Sequence, residues 1–333
     1  MTLSIIIPAY NREASIADTL ESIFRQRGHD LDYEVIVVDD ASADRTAAIC
    51  RHIAAENPQL HVLNGQHAGP GGARNMGLAH ARGTYIWFID SDDFAEEGAF
   101  AVLQKEMTQG YDAIAFCSAN LIHGEKVRRT SYRDMAGQVV TGSQFLSNII
   151  DCSQLRLKSR FSPAVMTFLF KRDFLLSQQL SMLPYIYHED LEFTPRVLMA
   201  AQKVLVLDDI LYLVYPTPGS IVRSVNQKKG YDNLTVVRHL YDYVQKNPSE
   251  HDRKLYIIMS IAFCNSLEEI WKAKAHHEKK YIEDLRTNST VYRRVLVRSR
   301  YGKYLLMALA LRVVPSLLVP LYNRYLKNLR LRH

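Results

Sequence analysis

The chain has 333 residues, 47% hydrophobic and 23% charged, a balance that excludes a disordered or fibrous protein and allows one large domain with additions, or two domains. Four cysteines at 50, 117, 152 and 264 form no CxxC or other close pair, which argues against a disulfide scaffold and a thiolate zinc site and fits a reducing cytoplasm. The net charge of +6 is uneven: residues 285–333 hold 11 Lys and Arg and no acid, leaving 30 basic against 35 acidic residues in the body, so the basic balance belongs to an apolar tail and points to an anionic membrane surface, not to nucleic acid.

In chain order, the first apolar run covers residues 3–7. It lacks a basic leader and is too short for a secretory core, so no signal peptide is expected. Residues 3–7 and 34–38 read as buried strands rich in Ile and Val. Between them Ile16, Leu20, Ile23 and Phe24 share one helical face. A second helix follows Val38, with Ser42 as its expected N-cap and Ile49 and Ile53 on its core face. Residues 60–63 read as a strand, 72–81 as a helix and 85–89 as a strand. This alternation predicts a parallel sheet covered on both faces, with ligands bound beyond the carboxyl ends of its strands. Polar clusters fall there, at 8–12, 39–44 and 90–93. Further on, 165–170 and 204–207 read as strands, and 231–284 as helices broken near Asn247-Pro248. There is no internal repeat and no low-complexity segment.

The loops carry the chemistry. The first strand-to-helix turn, Pro8-Ala9-Tyr10-Asn11-Arg12, has no glycine, so the Rossmann fingerprint is absent, as is Walker A. Gly69-Pro70-Gly71-Gly72-Ala73-Arg74-Asn75 either cradles an anion with its amides or makes a tight turn needing positive φ. Asp39-Asp40 either caps a helix or waits for a positive or hydrogen-bonding partner. Asp90-Ser91-Asp92-Asp93 puts three carboxylates after a buried strand, the chemistry that hard cations such as Mg²⁺ and Mn²⁺ select. His188-Glu189-Asp190 either supplies a general base or opens a helix with acids in its first turn.

Taken together these segments resemble the family 2 glycosyltransferases. The resemblance runs through Ser4-Ile5-Ile6-Ile7-Pro8-Ala9-Tyr10-Asn11, Glu34-Val35-Ile36-Val37-Val38-Asp39-Asp40, Ala73-Arg74-Asn75-Met76-Gly77, Phe88-Ile89-Asp90-Ser91-Asp92-Asp93 and Glu189-Asp190-Leu191-Glu192-Phe193, in order across residues 4–193. Tyr215 and Ser220 resemble a weaker segment in which many relatives carry Arg where this chain has Pro216. The resemblance implies a GT-A fold: an α/β, Rossmann-like, mainly parallel sheet flanked by helices, with a C-terminal helical extension. It implies a domain at 1–222 (nucleotide-sugar half 1–120, acceptor half 121–222); pattern and charge add a helical extension at 223–284 and the basic apolar tail at 285–333.

Roles follow by resemblance. Pro8, Ala9 and Tyr10 would line the base pocket, and Asp39 would accept a hydrogen bond from the base. Arg74 would lie near the base or diphosphate. Asp90 and Ser91 would lie at the nucleotide, with Asp90 facing ribose and the metal shell. Asp92 would be the most direct ligand of Mn²⁺ or Mg²⁺. Asp190 would be the catalytic base, with Glu189 the second candidate. The reaction expected is inverting transfer from a nucleotide-sugar, UDP-linked by family frequency, to a hydroxyl of a glycan or lipid-linked acceptor in bacterial surface polysaccharide synthesis. The alternative is a non-catalytic nucleotide-sugar-binding subunit of a glycan assembly complex. A nucleotidyltransferase would need a Gly-rich opening loop, and a polymer synthase a multi-span membrane region. In residues 304–322, Arg312, Pro315 and Pro320 interrupt an otherwise apolar run, which predicts helices lying in an anionic membrane interface at the cytoplasmic face. A helical pair packed on protein is the competing reading.

Overall fold

The computed structural model describes residues 2–154, 164–215, 225–300, 302–313 and 318–322. Pro216, Ser220, Pro315, Arg324, Lys327, Arg330 and Arg332 lie outside the described residues. Contacts divide the chain into two units: Met1–Tyr185 with Arg196–Pro218, and Ile186–Pro195 with Gly219–His333.

The first unit opens with strict alternation: β1 Leu3–Ala9, α1 Ile16–Phe24, β2 Tyr33–Asp39, α2 Thr46–Glu56, β3 Leu60–Asn64, α3 Gly69–His80 and β4 Tyr85–Phe88. There follow β5 Phe94–Ala95, α4 Ala99–Glu106, β6 Ala113–Ile122, β7 Glu125–Arg128, β8 Val139–Val140, α5 Gly142–Gln154, β9 Phe168–Lys171 and α6 Arg172–Ser177. Helix α7 Glu189–Ala200 has its first turns in the second unit and its end in the first, which closes with β10 Val204–Val214. Among the described residues the sheet runs β3-β2-β1-β4-β9-β6-β10-β5, with β7 on β6 and β8 on β10. β3, β2, β1 and β4 pair in parallel, as do β6 and β10. Strand β9 is antiparallel to both β4 and β6, so the sheet is mixed and mainly parallel in its nucleotide half.

Continuous Ile and Val runs make β1 and β2 because both faces are covered: Leu3, Ile5, Ile6, Ile7, Val35 and Val37 have no exposed surface. Ile16, Leu20 and Ile23 are buried as the periodicity predicts, with Phe24 packed alongside. Helix α3 lies close on β1 because Gly77 has no side chain. A Cβ there would sit 2.3 Å from Ile6 Cγ2.

Several expectations are corrected. Ser42 does not cap α2, which begins at Thr46; the Ser42 hydroxyl accepts from Asn11 N at 2.9 Å, and Asp44 accepts from Thr46 N at 2.9 Å. On α2, Ile49 and Ile53 do pack against the core, as the pattern predicts, beside the fully buried Thr46 and Cys50. Helix α3 begins at Gly69, three residues before the sequence pattern suggests. Residues 165–167 form a 3₁₀ turn, so the strand expected at 165–170 starts at Phe168.

The second unit is helical: α8 Gln227–Lys246, α9 Asp252–Lys272, α10 Lys279–Thr287, α11 Ser289–Arg298, α12 Gly302–Val313 and α13 Leu318–Leu321, with the expected break at Asn247-Pro248. Helices α8 and α9 pack along their lengths around Leu234, Val237, Leu240, Ile258 and Phe263.

Candidate active site

Adjacent parallel strands bring their carboxyl ends to one edge. Ala9, ending β1, is in register with Asp39, ending β2. Ile6 is in register with Phe88, so Asp90 lies level with Pro8. The strand order reverses across β1 and β4, the position where open α/β sheets form a ligand crevice. The first unit therefore gathers Pro8, Ala9, Tyr10, Asp39, Arg74, Asp90, Ser91 and Asp92 along one edge.

Asp39 and Asp40 part company there. Neither caps α2. Asp40 accepts from Ala68 N at 2.9 Å and Gly69 N at 2.8 Å, with Gly69 at φ +74°. The glycine-rich segment is thus both a tight turn and an anion cradle, and the anion is the chain's own carboxylate. Asp39 is 6% exposed, and its Oδ1 has no hydrogen-bond partner among the described residues. A buried carboxylate oxygen left in this way costs about 1–3 kcal/mol or more unless a donor arrives. Nearby, Tyr10 is exposed with its ring centroid 4.5 Å from that of His67. His67 was not expected from the sequence; nothing in its local pattern separates it from a turn residue.

The carboxylate cluster also divides. Arg74, buried, holds Asp90 through Nη2–Oδ1 at 2.6 Å. Asp92 has Arg12 Nη2 at 3.8 Å from Oδ2. The Asp90 and Asp92 side chains are 29% and 20% exposed, within reach of a ligand. Asp93 turns inward: Tyr212 Oη donates to its Oδ2 at 2.7 Å and Tyr215 N to its Oδ1 at 2.8 Å. Burial, with the charge of Asp90 and less so Asp92, pushes the Asp93 carboxyl up to about 8, against those hydrogen bonds. The same Tyr212 hydroxyl accepts from Asp90 N at 3.2 Å, so one phenol ties both ends of the turn. Ser91 is buried, and its carbonyl accepts from Ser15 Oγ at 2.9 Å. Two carboxylates, not three, therefore face outward, and among the described residues no group of three or more His, Cys, Asp or Glu could hold a metal ion. Arg12 and Tyr212 join the site although the sequence pattern singles out neither side chain.

Glu189 and Asp190 belong to the second unit. They open α7 together with Glu192, where acids are favoured by the helix dipole. His188 precedes them at φ +64°. Burial lowers the His188 pKa and Lys229 adds to it, against the carboxylates of Glu189, Glu269 and Asp232. Tyr187 N donates to Asp232 Oδ2 at 2.8 Å, and His239 Nδ1 lies 2.7 Å from Oε1 of the fully buried Glu192. The turn bearing Asp190 is thus anchored to α8 on both sides.

An alternating α/β sheet binds ligands at the carboxyl edge of its strands, and here that edge is lined with acids. The chain belongs to Glycosyl transferase family 2, whose family profile it matches over residues 4–175. It is 29% identical over 220 residues to the uncharacterized glycosyltransferase EpsJ of Bacillus subtilis, covering 66% of this chain and 62% of EpsJ. It is 30% identical over 218 residues to the poly(ribitol-phosphate) beta-N-acetylglucosaminyltransferase TarS of Staphylococcus aureus, covering 64% of this chain and 35% of TarS. The crystal structure of TarS 1-349 in complex with UDP-GlcNAc is similar at a TM-score of 0.74 and 21% identity, over 97% of this chain and 92% of that one. A mannosyltransferase from Pyrobaculum calidifontis, solved with GDP-Man and Mn²⁺, is similar at 0.53 and 17%, over 97% of this chain and 87% of that one. These likenesses establish the GT-A fold with a helical C-terminal region.

Proposed function

We propose that the chain moves a sugar from a UDP-sugar to a hydroxyl of a glycan or lipid-linked acceptor in bacterial surface polysaccharide synthesis, with inversion, at the cytoplasmic face of a membrane. The observation that carries the donor reading is the unpartnered Oδ1 of buried Asp39, an acceptor at the strand-end edge suited to the N–H of a pyrimidine base. Tyr10 offers an exposed ring for stacking, immediately after Pro8 and Ala9 at the end of β1. Support for uridine over other bases comes from TarS, solved with UDP-GlcNAc and with UDP.

Asp90 and Asp92 fit a divalent cation: they are hard oxygen donors, partly exposed, at the end of β4. Mg²⁺-type ions typically take one or two carboxylates plus substrate phosphates, so two outward carboxylates suffice. Asp92 would be the more direct ligand, since Asp90 already holds Arg74. The ion would supply charge neutralisation on the departing diphosphate. Arg74 and Arg12 add positive charge beside the same carboxylates, where an oxyanion develops. Asp190 is assigned the proton of the acceptor hydroxyl, with Glu189 the second candidate. In-line attack on an α-linked donor gives a β-linkage.

A screen of UDP-, GDP- and CDP-sugars with Mn²⁺ or Mg²⁺, read as hydrolysis and as protection against thermal unfolding, tests this. Protection and slow hydrolysis by a UDP-sugar are expected; protection confined to another nucleotide series would overturn the uridine assignment.

A further inference from the structure

Within the second unit α11 and α12 pack on each other. Tyr304, Met307, Ala308 and Leu311 of α12 are buried at the i, i+3, i+4, i+7 spacing of a core stripe. The opposite face of that helix should then be polar, and it is not. Leu305, Leu306 and Leu309 are 41%, 50% and 60% exposed, and they share that face with exposed Arg312. Neighbouring α11 adds Val297, 49% exposed, one helical turn from exposed Arg294 and adjoining exposed Arg298, with Arg300 just past the helix end. Large apolar side chains clustered in water mark an interaction surface.

The charge on this surface identifies the partner. Arg294 Nη1 donates to Tyr241 Oη at 3.1 Å and Arg298 Nη1 to Tyr256 Oη at 2.7 Å. Both acceptors are phenols, which orient the guanidinium groups without adding negative charge. Asp252 of α9 offsets part of the Arg298 charge, but residues 285–333 bring 11 Lys and Arg and no acid, so the surface stays cationic. A second copy docked face to face would bring the same cations together, since a two-fold interface pairs a patch with itself. An anionic bilayer satisfies both features, lipid phosphates for the guanidinium groups and acyl chains for the leucines. Twelve residues rise about 18 Å, well short of the ~30 Å hydrocarbon core. No described helix is long and apolar enough to cross a membrane.

We infer that α12 lies in the interface of an anionic membrane, with Leu305, Leu306 and Leu309 inserted and Arg294, Arg298, Arg300 and Arg312 at the headgroups. The inference rests on the membrane-face location proposed above and names the surface that achieves it; it does not depend on the donor site.

Co-sedimentation of the full chain with vesicles tests it, comparing phosphatidylglycerol–phosphatidylcholine mixtures with phosphatidylcholine alone at low salt. Binding to the anionic vesicles only is expected, weakened about tenfold or more when the salt is raised to about 0.5 M. Leu309→Ser should weaken binding roughly tenfold, Leu309→Phe should retain it, and Arg312→Gln should cost about fivefold. These positions are exposed, so circular dichroism and vesicle-free donor hydrolysis should match the parent. A full chain that stays in the supernatant with anionic vesicles at low salt overturns the inference. So does Leu309→Ser that binds as the parent does, or that breaks an oligomer seen by light scattering while vesicle binding is unchanged. Loss of vesicle binding with hydrolysis intact would leave the donor site standing, and the converse would leave this surface standing.

Discussion

Asp39 is placed where stability and binding pull apart. A buried carboxylate oxygen without a partner is a cost to the apo fold and an asset to a ligand that brings a donor. Asp39→Ala should weaken UDP about ten- to hundredfold, the value of a charged hydrogen bond, while apo thermal stability stays level or rises; calorimetry and thermal unfolding read the two separately. Tyr212→Phe should act oppositely. It removes the hydroxyl that donates to Asp93 and accepts from Asp90 N, so unfolding free energy should fall by about 1–3 kcal/mol, with activity falling as the turn loosens. Glu34 reports on pH. Burial pushes its carboxyl up, but hydrogen bonds from Ser4 Oγ, Arg82 N and the Arg82 guanidinium, with that side chain's charge, prevail and hold it below the usual range. A depressed carboxyl binds its proton more readily in the unfolded chain. Its stabilisation is therefore complete above the unfolded value of about 4.3 and is lost as pH falls through the lower folded value. Acid titration of the unfolding free energy should show this loss, and Glu34→Gln should flatten it.

Helix α7 carries the proposed base on a turn tied to α8 through Asp232 and His239. Asp190→Asn keeps shape and removes charge, so kcat should drop about 10²–10⁴-fold with UDP affinity unchanged; a normal kcat there with loss in Glu189→Gln would transfer the role to Glu189. At α3, Gly77→Ala sets a gain in helix propensity of about 1 kcal/mol against a Cβ 2.3 Å from Ile6 Cγ2. Overpacking costs about 1–3 kcal/mol, so the melting temperature should fall. Elements whose period and burial agree were legible in the sequence. β1, β2 and β4 are buried on both faces and read as unbroken apolar runs. What needed tertiary pairing was not legible: β9 is antiparallel and starts late, because the strand direction of a short apolar run is set by its neighbours. Ser42 does not cap α2 because the loop from β2 runs on to Arg45, which holds the N-cap position without a side-chain cap bond, while Asp44 Oδ1 accepts from Thr46 N.

Across the molecule, the acidic strand-end edge belongs to one unit and the cationic, apolar helices to the other, and the uneven charge of the sequence already separated them. Site residues were legible as loop positions after strands. Their division of labour was not, because Asp39 from Asp40, and Asp92 from Asp93, differ only in which way each side chain turns. Membrane docking and donor binding use different residues, so each can be lost without the other. The most direct test of donor binding is a calorimetric titration of UDP into the full chain with Mn²⁺, repeated with excess EDTA and with Asp92→Ala. Saturable binding with Mn²⁺ is expected, lost with EDTA and strongly weakened in Asp92→Ala, with GDP and CDP binding worse. Equal UDP affinity with and without the metal and the Asp92 carboxylate would contradict it.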